Sequence, residues 1–216
     1  MEDLNTGLYN FIAIEGNIGA GKTSLTKLLA ADLNARIVLE QFEDNPFLPK
    51  FYKDQNRFAF PLELSFLAER FQQLKDILPS QDLFTDFTIS DYFINKSLIF
   101  ARKTLQQDEF LLYNKLFNLM NLSLPKPDLL VYLYLSIDKL QSNIRKRGRD
   151  YEQNMRNEYL QDIQDSYFEF ISQQSKMKIL IIDTNEMDFV NRKEDFKRLK
   201  ELIFHEYSDG IHRITP

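Results

Sequence analysis

One stretch decides the fold: Phe11-Ile12-Ala13-Ile14-Glu15-Gly16-Asn17-Ile18-Gly19-Ala20-Gly21-Lys22-Thr23-Ser24. An apolar run ends at Gly16 and a glycine-rich loop follows. A helical pattern then begins at Lys22, with Leu25, Leu28, Leu29 and Leu33 on one face. Gly16 to Thr23 satisfies G-x-x-x-x-G-K-[ST] at every fixed position, in the strand–loop–helix setting the motif requires. Glycines let the backbone curl so that successive N–H groups point into one concavity. That nest, with the positive end of the next helix behind it, binds phosphate. The residues Gly16, Asn17, Ile18, Gly19, Ala20, Gly21, Lys22, Thr23 and Ser24 are therefore the candidate site for a nucleoside triphosphate. Lys22 would reach the β- and γ-phosphates, and the Thr23 hydroxyl would help hold Mg²⁺. The motif leaves open what accepts the phosphoryl group.

Working outward, strand-like and helix-like runs alternate. After the loop helix, Ala35–Leu39 reads as a strand ending at Glu40, and Arg57–Leu78 as a long amphipathic helix stopped by Pro79. Phe87–Ser90 is a strand ending at Asp91, Asp108–Leu122 an unusually apolar helix, and Leu129–Leu135 a buried strand. Helices over Ile137–Arg147 and Tyr151–Gln173, a strand over Ile179–Ile182 and a helix over Arg192–His205 complete the pattern. The alternation predicts an α/β domain with a mostly parallel sheet covered on both faces. Residues 1–216 read as one domain, with a loose tail from about residue 206.

Composition narrows the class. A chain of 216 residues with 44% hydrophobic and 27% charged residues can bury a sizeable core. The net charge of −5 argues against non-specific nucleic-acid binding. The absence of cysteine excludes disulfides and thiol catalysis and suits a reducing compartment. No apolar stretch is long enough to span a bilayer, so a cytoplasmic protein without a membrane partner is expected.

In open parallel sheets ligands collect beyond the carboxyl ends of the strands, which directs attention to Glu40 and Asp91. A carboxylate at Glu40 could take a proton from an acceptor hydroxyl; the alternative is a solvent-facing acid. Asp91 occupies the place of a metal-supporting acid, or caps the next helix, or both. Ile144-Arg145-Lys146-Arg147-Gly148-Arg149-Asp150-Tyr151-Glu152 places four cations within five residues around a glycine. Such a cluster, over about residues 145–153, suits a lid that closes on phosphates.

With these residues in view, the sequence resembles the deoxyribonucleoside kinase family, and most of all its bacterial deoxyguanosine and deoxyadenosine kinases. The resemblance runs through the loop and Glu43-Asp44-Asn45-Pro46-Phe47-Leu48, then Lys50-Phe51-Tyr52 and Phe66-Leu67-Ala68-Glu69-Arg70-Phe71. It continues in Lys96-Ser97-Leu98-Ile99-Phe100-Ala101, Leu124-Pro125-Lys126-Pro127-Asp128, Lys146-Arg147-Gly148-Arg149 and Asp183-Thr184-Asn185-Glu186-Met187-Asp188-Phe189. It implies a P-loop fold with a five-stranded parallel sheet and an arginine-rich lid, a homodimer, and ATP with Mg²⁺ as cofactors. It implies phosphorylation of the 5′-hydroxyl of a deoxynucleoside in nucleotide salvage. It also implies roles: Glu40 as general base, Tyr52 and Glu152 on the sugar 3′-hydroxyl, Arg70 near base and sugar. Arg147 and Arg149 would be the lid arginines, Asp188 and Phe189 the contacts to adenine of ATP, and Thr23 and Asp91 the metal support.

Two departures matter. Where many members carry Asp-Arg-Ser or Glu-Arg-Ser, this chain has Ser90-Asp91-Tyr92, and the arginine is missing. Asn143 likewise stands where a cation is common. Many members also present Gln and Asp to the nucleobase, whereas the matching positions here are Glu63 and Lys96. Ionised Glu only accepts hydrogen bonds and Lys only donates. Glu63 would match the N1–H and N2–H₂ edge of guanine, and Lys96 its O6 and N7. Alternatively the two pair with each other or with Arg70. The expectation is a purine deoxynucleoside, with deoxyguanosine slightly ahead of deoxyadenosine. The competing functions are a nucleoside monophosphate kinase of the thymidylate kinase type, which needs more cations at the acceptor, and a non-catalytic or switch-type nucleotide-binding protein.

Overall fold

The computed structural model describes residues 6–41, 45–79 and 84–216; Glu43 and Asp44 lie outside them. Strands β1 (Phe11–Gly16), β2 (Arg36–Val38), β3 (Thr88–Ser90), β4 (Leu129–Tyr134), β5 (Lys178–Asp183) and β6 (Gly210–Ile214) form one sheet in the order β2-β3-β1-β4-β5-β6. Every pairing is parallel. The helices are α1 (Lys22–Asp32), α2 (Leu48–Lys53), α3 (Gln55–Ile77), α4 (Lys96–Thr104), α5 (Gln107–Asn121), α6 (Ile137–Arg147), α7 (Asn157–Ser172) and α8 (Lys193–Ile203).

Alternation along the strands builds two cores, because successive side chains point to opposite faces of a sheet. Ile12, Ile14, Val131, Leu133, Leu180 and Ile182 pack with α1 and α8 residues such as Leu25, Leu29 and Leu199. Phe11, Ala13, Leu130, Tyr132, Ile179 and Ile181 pack on the other face against Leu67, Ile99, Tyr113 and Tyr167. All six residues of β1 are buried, so the strand that delivers the phosphate loop is held from both faces.

The structure corrects the sequence reading in three places. The sheet has six strands rather than five. The sixth comes from the segment expected to be a loose tail: Gly210–Ile214 pairs in register with Lys178–Ile182. Tyr151–Gln173 is not one helix. A 3-10 turn at Asp150–Glu152 precedes α7, and the intervening chain folds inward to bury Glu152 and Met155. The Gln141 side chain donates to Met155 O at 2.6 Å, which holds that inward path. Among the described residues no helix is long and apolar enough to cross a membrane.

Candidate active site

The carboxyl ends of β1, β2, β4 and β5 open into a cleft of about 1270 Å³ whose lining includes Gly19, Lys22, Thr23, Glu40, Lys146, Arg147, Arg149, Asp188 and Phe189. A second cavity of about 120 Å³ lies deeper, between α2, α3 and α4, and is lined by Tyr52, Leu62, Glu63, Phe66, Arg70, Lys96, Phe100 and Tyr159. Gly19, Lys22, Thr23, Glu40, Arg147 and Arg149 line both. A group passed from one cavity to the other passes these six residues.

The loop is prepared for an anion. Gly21, the residue before α1, has φ +87°, and a Cβ there would meet the Phe189 ring at 2.9 Å. Only glycine lets the backbone lie this close to the ring with that sign of φ. Asn17 is buried; its Nδ2 donates to Leu160 O at 2.7 Å while its Oδ1 accepts from Ile18 N, clamping the loop to α7. Asn143 donates to Gly19 O at 2.8 Å, so the residue that replaces a common cation ties α6 to the loop. The Lys22 ammonium donates to Gly16 O and Asn17 O, each at 2.9 Å. Burial and the nearby charge of Lys96 bring its pKa down to about 8, against the pull of Glu15, Glu40 and Asp91.

Asp91, on the inner cavity, links the phosphate loop to Glu40. Its Oδ2 accepts from the Thr23 hydroxyl at 2.5 Å and its Oδ1 from the Glu40 backbone N–H at 2.7 Å. A hydroxyl and a carboxylate at the start of the phosphate helix are hard oxygen donors, the kind Mg²⁺ takes beside nucleotide phosphates. The pair fits a metal ion, and it also fixes Glu40 relative to the loop. Nearby, the Tyr92 hydroxyl donates to Gln73 at 2.6 Å and Gln73 donates to Leu39 O at 3.0 Å, fastening the chain just before Glu40 to α3.

Glu40 lies in a cationic grip. Arg70 donates from Nε at 2.8 Å and from Nη2 at 2.6 Å, both to Oε1, and Lys96 donates to Oε2 at 2.5 Å. Burial opposes ionisation, but Lys96 and Arg70 overcome it and hold the Glu40 carboxyl well below the usual carboxylate range. Arg70 is itself anchored: Nη1 donates to Ser97 Oγ at 2.7 Å and the guanidinium lies 4.8 Å from the Phe66 ring centroid. The resemblance put Arg70 near base and sugar and Lys96 on the base. In the structure both side chains turn to Glu40.

Glu63 does not meet Lys96 in an ion pair; it accepts from Thr104 Oγ1 at 2.9 Å. Burial raises its pKa to about 7 despite Arg70 and Lys96 nearby. In the lid, Gly148 ends α6 with φ +75°, and Glu152 accepts from Arg147 and, at 3.4 Å, from Arg149. The Tyr151 ring stacks on Tyr52 at 5.7 Å between centroids. Asp188 lines the outer cleft, yet its carboxylate accepts from Asn191 N at 3.1 Å and caps that turn, while Phe189 packs on Gly21.

Sequence reasoning missed Glu15. It is buried on β1, accepts from Phe93 N at 2.6 Å and Tyr167 Oη at 2.8 Å, and sets the turn after β3. A charged residue inside an apolar strand run was the available signal. Among the described residues no cluster of three or more His, Cys, Asp or Glu forms a further metal site.

Comparison with known proteins agrees with this fold. The chain is 38% identical over 204 residues to the deoxyguanosine kinase of Bacillus subtilis, covering 89% of this chain and 97% of that one. It is 34% identical to the deoxyadenosine kinase of Dictyostelium discoideum, covering 95% and 83%. The solved structure of deoxyadenosine kinase from M. mycoides, with dCMP and dCDP bound, superposes with a TM-score of 0.76 at 28% identity, covering 89% and 96%. The family model for deoxynucleoside kinases matches residues 12–207, and the chain belongs to that family.

Proposed function

We propose that this enzyme transfers the γ-phosphoryl group of ATP to the 5′-hydroxyl of a purine 2′-deoxynucleoside, with deoxyguanosine slightly ahead of deoxyadenosine. The observation that carries the reading is the junction of the two cavities, where one carboxylate, Glu40, lines both together with Lys22 and the lid arginines. The outer cleft would take ATP and the inner cavity the nucleoside. Little covalent work falls to the protein in such a transfer; it positions the reactants and neutralises charge. Lys22 and the loop N–H groups would bind the β- and γ-phosphates. Arg147 and Arg149 would stabilise the transferring group once Glu152 gives them up. Mg²⁺, held beside Thr23 and Asp91, would supply charge neutralisation at the phosphates. Glu40 would accept the proton of the 5′-hydroxyl, and a carboxylate here repels an acceptor that already carries a phosphate.

The sugar reading rests on Tyr52 and Glu152, which both line the inner cavity, close enough for the Glu152 charge to act on the Tyr52 hydroxyl, and suit a 3′-hydroxyl. The purine reading rests on Glu63, an acceptor deep in the inner cavity that matches the donor edge of guanine. Relatives of this chain carry both purine names, so the base choice rests on that pocket. A homodimer is proposed from α5, where Tyr113 and Phe117 face the core while Leu119 and Leu122, 71% and 86% exposed, face outward. The test of the activity is phosphorylation of four deoxynucleosides and their monophosphates by wild type and Glu40→Gln. Nucleoside phosphorylation that falls by at least about 100-fold in Glu40→Gln is expected; retained activity removes Glu40 as the base, and a preference for monophosphates refutes the reading.

A further inference from the structure

The two cations on Glu40 are not equivalent. Oε1 is held twice by Arg70, whose guanidinium is locked by Ser97 and stacked on Phe66. Among the described residues Oε2 has one partner, the Lys96 ammonium, a point charge on a flexible four-carbon stem. If an acceptor hydroxyl is to hydrogen-bond Glu40, Oε2 is the oxygen it can take with the smaller rearrangement.

Local structure does not account for Lys96. It is the first residue of α4, and a cation in the first turn lies at the unfavourable end of the helix dipole. It is also buried, and close enough to Lys22 for its charge to lower the Lys22 pKa. A buried lysine held against both effects is explained by the carboxylate it faces and by the cavity junction it borders, on the acceptor side of Thr23 and Arg147.

We propose that Lys96 serves the reacting end of the site: it occupies Glu40 Oε2 until the acceptor 5′-hydroxyl takes that oxygen, then turns its ammonium to the transferred phosphoryl group. The step balances. O5′ forms a bond to the γ-phosphorus, the bond from that phosphorus to the β–γ bridging oxygen breaks, ADP leaves, and the 5′-hydroxyl proton passes to Glu40 Oε2. Protonation removes the charge that held Lys96, so its cation becomes available as charge builds on the phosphoryl oxygens. Lys96 thereby supplies the charge left unfilled by the missing arginine at Ser90-Asp91-Tyr92, and it no longer reads the base. This inference rests on the kinase reading above.

The experiment measures kcat and KM for deoxyguanosine and deoxyadenosine in wild type, Lys96→Met, Lys96→Gln and Lys96→Arg. Wild type is assayed first: no phosphorylation of either nucleoside refutes the kinase reading itself. Given an active wild type, Lys96→Met is expected to lower kcat by about 100-fold or more for both purines alike. KM for the nucleoside should stay within about threefold, because the lysine acts on the transferred group rather than on nucleoside binding. Lys96→Arg should recover at least about tenfold of that loss. Lys96→Gln keeps a hydrogen bond to Oε2 without the charge and answers the same question if Lys96→Met does not fold. A changed ratio between the two purines with kcat retained would overturn the proposal and assign Lys96 to the base. Unchanged kcat in Lys96→Met or Lys96→Gln would overturn it as well.

Discussion

Glu63→Gln is predicted to stabilise the ligand-free enzyme above neutral pH. Glu63 is buried on α3, and burial outweighs the help of Arg70, Thr104 and Lys96, raising its pKa from 4.5 to about 7. In the unfolded chain the carboxyl returns to its ordinary value. Below about pH 4.5 both states hold the proton and the site costs nothing. As pH rises toward 7 the unfolded chain releases the proton while the folded one keeps it, so stability falls. Above about 7 the full penalty is present, roughly 3 kcal/mol at about 1.4 kcal/mol for each tenfold change in proton affinity. A glutamine carries no such penalty, and its amide oxygen can still accept from Thr104 Oγ1. Urea unfolding of the two proteins at pH 5.5 and 8.5 reads the effect. The advantage of Glu63→Gln should be larger at pH 8.5 than at pH 5.5 by about 2 kcal/mol. A stability difference that does not change with pH, or a variant less stable than wild type at pH 8.5, would refute the reasoning. If Glu63 accepts from the purine donor edge, the same variant should also narrow any preference for deoxyguanosine.

Other perturbations probe the rest of the site. Gly21→Ala puts a methyl 2.9 Å from the Phe189 ring at a φ of +87°; ATP affinity should fall at least about tenfold and stability by roughly 1–3 kcal/mol, read by calorimetry and thermal unfolding. Asn17→Ala leaves Leu160 O without its buried donor, and urea unfolding should show a loss of about 1–3 kcal/mol. Leu119→Glu places a charge on the exposed apolar side of α5 and should turn a dimer into a monomer by light scattering, with the monomer's melting transition largely unchanged; a wild-type monomer removes the dimer proposal.

Gly16–Thr23 specified a phosphate loop by itself, because nest, lysine and hydroxyl lie within eight consecutive residues and depend only on the local turn. The β1, β4 and β5 runs were equally plain, since a strand covered on both faces is apolar along most of its length. Gly210–Ile214 was not, because an edge strand of alternating exposure carries no apolar run and becomes a strand only by docking on β5. The break before α7 was hidden for a related reason: Glu152 and Met155 turn inward to partners on α6 and in the lid. Glu40, Glu63, Arg70 and Lys96 could each be singled out from the sequence, but which faced which could not. Four buried charges from β2's end, α3 and α4 share one small space, and their pairing is settled by distance. Arg70 and Lys96 lie against Glu40, and Glu63 is left to Thr104. The chain alone determined a phosphate-binding α/β enzyme; the tertiary structure decided which carboxylate is held by cations and which is left to face the inner cavity.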